Sequence, residues 1–155
     1  MTPFVYAQTI TNLKIEGNRK IETSAILEKI SSKSGQKLDT EAVRQDIQDL
    51  FEMGYFDDVR AEKDGTTLIF TVKEKPSISS IEFDGNDEID DSDLKEKLGI
   101  KPFELLNYGK IQNAISEIQK AYEEKGYLLA RVDYELKPDK DAQQSEKLIF
   151  KIFEN

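Results

Sequence analysis

The chain contains itself twice. Ile10-Thr-Asn-Leu13-Lys-Ile15-Glu-Gly17-Asn18 returns as Ile78-Ser-Ser-Ile81-Glu-Phe83-Asp-Gly85-Asn86. Leu68-Ile69-Phe70-Thr71-Val72 returns as Leu148-Ile149-Phe150-Lys151-Ile152. An internal repeat constrains the fold more than composition does, because each copy must be one structural unit. The copies meet at Glu74-Lys75-Pro76-Ser77, a charged tetrapeptide with one proline. The chain therefore reads as two modules, 8–75 and 76–155, each near the small end of what folds alone. Lys75, Pro76 and Ser77 form the expected hinge, too short for a floppy tether.

The first module opens on a strand, since Thr11, Leu13 and Ile15 alternate with Asn12, Lys14 and Glu16 until Gly17-Asn18 stops them. Thr23 or Ser24 then caps a short helix carrying Ile26, Leu27 and Ile30, with Gly35 as its left-handed stop. Asp39 caps the next helix, whose apolar stripe is Val43, Ile47, Leu50 and Phe51 and whose end is Gly54. A short strand, Val59-Arg60-Ala61-Glu62, turns at Asp64-Gly65 into the nearly all-apolar strand Leu68 to Val72.

The second module repeats this order. Its first strand carries Ile81 and Phe83, and Asp90, Asp91 or Ser92 caps a helix bearing Leu94 and Leu98 before Gly99. Asn107 caps a helix with Ile111, Ile115, Ile118 and Tyr122 on one face, closed at Gly126. A strand through Arg131, Val132, Asp133 and Tyr134, a long charged loop 137–146 and the final strand 148–152 complete it. The expected class is α+β: two modules in the order β-α-α-β-β, each a three-stranded mixed sheet covered by two antiparallel helices. The first core should hold Leu13, Ile47, Leu50, Phe70 and Val72, and the second Phe83, Leu98, Ile115, Ile118 and Phe150.

Composition removes whole classes of chemistry. The chain has no Cys and no His, which excludes thiolate and imidazole catalysis and the common zinc sites. Its net charge of -9 lacks the clustered basic face that nucleic acid requires, so no nucleic-acid partner is expected. The acidic run Asp84 to Asp93 is not a calcium loop, because its sixth and twelfth positions are Ile89 and Lys95. Asp57-Asp58 and Glu123-Glu124 are adjacent surface acids rather than an opposed catalytic pair, and Gly54 and Gly126 stop helices rather than cradle phosphate. Tyr55 and Tyr127 read as packing residues, with interface recognition as the alternative. No cofactor is expected, and no apolar run approaches the ~20 residues of a membrane helix. Val5-x-Ala7 near the start is compatible with a signal-cleavage site or with an ordinary terminus.

The ordered set in duplicate resembles the POTRA family. Gly54-Tyr55-Phe56-Asp57-Asp58-Val59 and Val72-Lys73-Glu74-Lys75-Pro76-x-Ile78-x-x-Ile81-x-Phe83-x-Gly85-Asn86 are similar to segments of the first two POTRA domains of BamA-type outer-membrane assembly proteins. Leu128-Leu129-Ala130 departs from Phe56-Asp57-Asp58. The resemblance implies non-catalytic, periplasmic docking modules that contact unfolded outer-membrane proteins, accessory assembly lipoproteins or periplasmic chaperones. It also implies a soluble piece of a protein anchored by a C-terminal outer-membrane barrel. The arm of a two-partner secretion pore, an FtsQ-like division scaffold and an unrelated hydrolase are the alternatives. Partners would pair by strand addition at exposed edges, for which Val59, Arg60, Ala61 and Glu62 and, in the second module, Arg131, Val132, Asp133 and Tyr134 are the candidates.

Overall fold

The central strand of each module is the most apolar one, and the rest of the module is arranged around it. The structure, a computed structural model, describes residues 8–155, so Val5 and Ala7 lie outside the described residues. The chain divides into two compact units that part between Lys75 and Pro76. The first holds β1 (Asn12–Glu16), α1 (Thr23–Lys29), α2 (Thr40–Glu52), β2 (Phe56–Asp64) and β3 (Thr67–Glu74). The second holds β4 (Ser77–Asp84), α3 (Asp91–Lys97), α4 (Tyr108–Glu124), β5 (Arg131–Pro138) and β6 (Ser145–Phe153). Each sheet is mixed: β1 runs parallel and β2 antiparallel to β3, as β4 and β5 do to β6. This is the α+β, two-module β-α-α-β-β architecture that the repeat calls for.

Leu68, Phe70 and Val72 alternate on the buried face of β3 and meet Ile26 and Leu50 from the helices. Leu148, Phe150 and Ile152 do the same in β6 against Leu94, Ile111 and Ile118. Leu13, Ile47, Phe83 and Ile115 pack on these cores but are only partly buried, because edge strands and helix flanks leave one side open. Phe51 departs from its expected place in the apolar stripe and is 44% exposed. A stripe of four apolar residues is wider than this small sheet can cover.

The Gly-Asn pair after β1 has a specific task. Gly17 lies at φ 87, and a Cβ there would fall inside the van der Waals radius of the Val72 carbonyl. Gly85 stands in the same relation to Ile152. Asn18 Nδ2 then donates to Ile21 O (2.8 Å) and Thr23 Oγ1 (3.1 Å), and Asn86 Nδ2 to Ile89 O (2.9 Å) and Asp91 Oδ1 (2.8 Å). These bonds organise the starts of the short helices. The expected side-chain caps do not form there: Glu22 and Asp90 hold the cap positions without a capping bond. Asp39 and Asn107 do cap α2 and α4, accepting from Glu41 and Ala42 N–H and from Lys110 N–H. Gly35 is not a helix stop, because α1 already ends at Ile30; it shapes the loop before α2 instead.

Among the described residues two carboxylates are buried. Asp46 on α2 accepts from the N–H and hydroxyl of both Ser31 and Ser32 (2.5–3.0 Å). Glu74 accepts from the N–H groups of Arg19, Lys20 and Ile21 (2.8–3.0 Å). Burial alone would raise both pKa values, but these donors outweigh it and hold each below the ordinary carboxylate value.

The close approach at Gly17 gives a paired test. Gly17→Ala should cost about 3 kcal/mol, since backbone rather than a mobile side chain blocks the new methyl. Gly35→Ala, also at positive φ but in open space, should cost only about 1–2 kcal/mol of backbone strain. Denaturant unfolding of the two variants checks the order, and equal losses would refute the steric argument.

Candidate functional site: the open sheet edges

The order β1-β3-β2 leaves β2 at an edge of its sheet, and β4-β6-β5 leaves β5 at the corresponding edge. The Val59–Glu62 strand is longer than the sequence predicts, running from Phe56 to Asp64 with a register shift between Phe56 and Asp58. Charge along it masks a strand, because Asp57, Arg60, Glu62, Lys63 and Asp64 are exposed and Asp58 is half-buried. The expected loop 137–146 is shorter for the same reason: β5 continues to Pro138 and β6 begins at Ser145.

Which groups the edge offers follows from the turn. Gly65 at φ 60, followed by Thr66 at negative φ, is the pattern of a type II′ turn, so Asp64 and Thr67 form the first hydrogen-bonded pair. Bonded and non-bonded pairs alternate in an antiparallel ladder. Glu62–Ile69 and Arg60–Thr71 are then bonded pairs, and the N–H and C=O of Val59, Ala61 and Lys63 point away from β3. In the second module Asp139 N–H donates to Ser145 O (2.9 Å), which makes Lys137–Lys147, Glu135–Ile149, Asp133–Lys151 and Arg131–Phe153 the bonded pairs. Val132, Tyr134 and Leu136 therefore face outward, and so does Pro138, whose missing N–H costs the ladder nothing there.

The predicted site residues thus divide into two groups. Val59, Ala61, Val132 and Tyr134 present free main-chain edges while their side chains turn to the core side. Arg60, Glu62, Arg131 and Asp133 commit their main chain to the central strand and expose their side chains. Arg60 pairs with Asp58 at 2.7 Å, and the Arg131 guanidinium sits 5.5 Å from the Phe153 ring centre. At the joint, Lys75 N–H donates to Tyr55 O (2.9 Å), Leu106 N–H donates to Pro76 O (2.8 Å), and Ser77 opens β4 with its N–H on Gln144 O (2.9 Å).

Tyr127 packs edge-on against buried Tyr122, whereas Tyr55 is 43% exposed and not a core residue. Tyr122 donates to Glu154 Oε1 (2.6 Å), and burial together with that carboxylate pushes its pKa well up. A concavity of about 370 Å³ lies between the loop 31–39 and α2. Several of its polar groups serve the fold: Lys33 Nζ caps α1 on Leu27 O and Ile30 O, Asp39 caps α2, and the Ser31 and Ser32 hydroxyls donate to Asp46. Among the described residues no group of His, Cys, Asp or Glu could hold a metal ion, and no helix is long and apolar enough to cross a membrane. The sequence reading missed Phe103, at φ 72 and exposed, and the exposed Leu128 and Leu129. Alignment of the two repeats carried the signal for Phe103, since Gly35 holds its position in the first module.

Two tandem β-α-α-β-β modules, each with a three-stranded mixed sheet, define a class of small repeated α+β domain. The POTRA family model, described as a surface antigen variable number repeat, matches residues 8–75 and 76–155, and the chain belongs to that family. It is 28% identical over 135 residues to the outer membrane protein assembly factor BamA of Nitratidesulfovibrio vulgaris, covering 84% of this chain and 17% of that protein. BamA of Neisseria meningitidis is 27% identical over 77% of this chain and 15% of its own length. The chain thus spans about a sixth of the curated relatives it matches. Among solved structures, the N-terminal domain of Omp85 from Thermosynechococcus elongatus superposes with a TM-score of 0.68 at 22% identity, over 93% of this chain and 61% of that one. POTRA1-2 of Anabaena Omp85 gives 0.55 at 20% identity, over 95% of both chains.

The register makes a proline test specific. Ala61→Pro removes only an outward donor and should leave folding nearly unchanged. Glu62→Pro removes the bond to Ile69 and should cost about 1–3 kcal/mol for the orphaned partner. Thermal unfolding compares them, and the reverse order would show that the ladder has the opposite phase.

Proposed function

We propose that the chain is a non-catalytic, periplasmic docking module of an outer-membrane β-barrel protein assembly machine. It takes extended client polypeptides and accessory assembly subunits or chaperones by strand addition at β2 and β5. The observation that carries the reading is the pair of open edges with outward main-chain groups at Val59, Ala61 and Lys63 and at Val132, Tyr134 and Leu136. Main-chain pairing accepts many sequences, which suits a scaffold with unfolded clients. Relatives named as outer membrane protein assembly factors favour this reading over a secretion-pore arm or a division scaffold.

Titrating the isotope-labelled chain with an extended peptide from an outer-membrane protein strand tests it. Amide shifts should centre on residues 59–63 and 132–136. Shifts confined to the helix faces around Gln48 and Gln119 would overturn it.

We also infer that Lys75, Pro76 and Ser77 are a restricted hinge. Backbone bonds hold Lys75 N–H to the first module and Pro76 O to the second, and the proline ring fixes its own φ. Solution scattering should fit a narrow set of inter-module angles; a profile of freely tumbling modules would refute the restriction.

A further inference from the structure

The two modules close the same corner of the fold differently. In the second, Ile100 is buried in the segment before α4, and Lys110 in the first turn of α4 reaches back to Glu104 at 3.0 Å. Leu106 and Ile111, which flank that turn, are buried. The corresponding positions of the first module carry Ser32 for Ile100, Gln36 for Glu104 and Ala42 for Lys110. Ser32 turns its hydroxyl to Asp46, and the alanine methyl is too short to span to Gln36. Leu38 and Val43, the counterparts of Leu106 and Ile111, are left only partly buried.

The first module has its concavity of about 370 Å³ at this corner, within the size range of small-molecule sites. Ile10, Leu38, Val43 and Leu68 supply its apolar wall, and Lys33 and Lys37 stand among its polar residues. Lys33 Nζ is held by the carbonyls that end α1. Lys37 is exposed and forms no ion pair among the described residues. Asp39, the one acid of the lining, spends its carboxylate on the N–H groups of Glu41 and Ala42. Two lysines against one aspartate give this corner a positive sign in a chain of net charge -9.

We propose that the concavity binds a medium-chain aliphatic monocarboxylate, its chain laid on Ile10, Leu38, Val43 and Leu68 and its carboxylate at Lys37. The chain restores the apolar cover that Ile100 and the stem of Lys110 supply in the second module, and gains by leaving water. The carboxylate meets the cation that the fold itself does not pair. No residue of β2 or β5 lines this site, so the inference stands apart from strand addition.

The test titrates the isotope-labelled full chain with octanoate below its micelle-forming concentration, with acetate and octylamine as controls. Octanoate should shift the amides of Ile10, residues 36–43 and Leu68, whereas acetate and octylamine should leave them in place. Gln36→Glu combined with Ala42→Lys copies the ion pair of the second module into the first. That double variant should melt near the parent temperature and bind octanoate about fivefold more weakly or worse, as the chain loses apolar contact. Lys37→Ser, at an exposed position, should weaken binding about three- to fivefold, the size of one exposed charge pair. An equal response to acetate would overturn the role of the apolar wall, and an equal response to octylamine that of Lys37. Shifts spread over both modules, or a folded double variant that binds as the parent does, would overturn the site. Should the double variant fail to fold, unchanged binding by Lys37→Ser would overturn it instead. None of these failures touches pairing at β2 and β5, which the peptide titration reads at residues 59–63 and 132–136.

Discussion

In each module the backbone of one glycine presses on the carbonyl of the central strand, at Gly17 on Val72 and at Gly85 on Ile152. No side chain fits between them, so the chain leaves the first strand close against the end of the central one. The next residues are then within reach of that strand's own terminus. Glu74 gathers the N–H groups of Arg19, Lys20 and Ile21, and Asn18 fixes the entry to α1. Glu154 does the corresponding work differently, accepting from Glu88 N–H (3.0 Å) and from the Tyr122 hydroxyl, which ties the same loop to α4. A donor left without its acceptor here would cost about 1–3 kcal/mol, a large share of what holds a module of this size.

The modules answer a second packing problem with opposite chemistry. In the first, the segment after α1 is tied to α2 by buried Asp46 and the two serines. In the second, the repeat places Ala114 where Asp46 stood, with buried Leu98 and Ile100 in the adjoining segment. A satisfied buried carboxylate and a close-packed apolar contact can be equivalent in stability, whereas a half-satisfied one is not. Exchange between the two solutions must therefore change several residues together. That coupling explains why the repeat is clear in the strands and blurred between the helices.

Sequence legibility followed the same line. The alternation of Leu68, Phe70 and Val72 and its copy in β6 showed the central strands, and the order of turns showed the topology, because period and punctuation are local properties. The buried roles of Asp46 and Glu74 were not legible, since an acid in a charged chain is buried only when distant donors converge on it. β2 was read too short because its outward residues are charged, and Phe51 was read into the apolar stripe of its helix because such a stripe does not report how much sheet lies beneath it. The edge placement of Val59–Glu62 was legible; the phase of its hydrogen bonds was not, and required the turn at Gly65-Thr66.

The energetics of strand addition explain why an edge alone makes a poor binding site. Each main-chain bond gained nets about 0.5–1.5 kcal/mol against water. Each client residue ordered costs about 1–2 kcal/mol. Along β2, where only alternate residues face outward, the two nearly cancel, so pairing sets geometry while side-chain burial decides affinity. The charged face of β2 contributes little such burial and discourages pairing between like-charged copies of the chain. The half-open layers at Leu13, Ile15 and Phe83 contribute more, because an apolar client residue laid beside them is removed from water at about 25 cal/mol per Å². Under the proposed strand addition, a module built this way would select clients by alternation of apolar residues rather than by sequence.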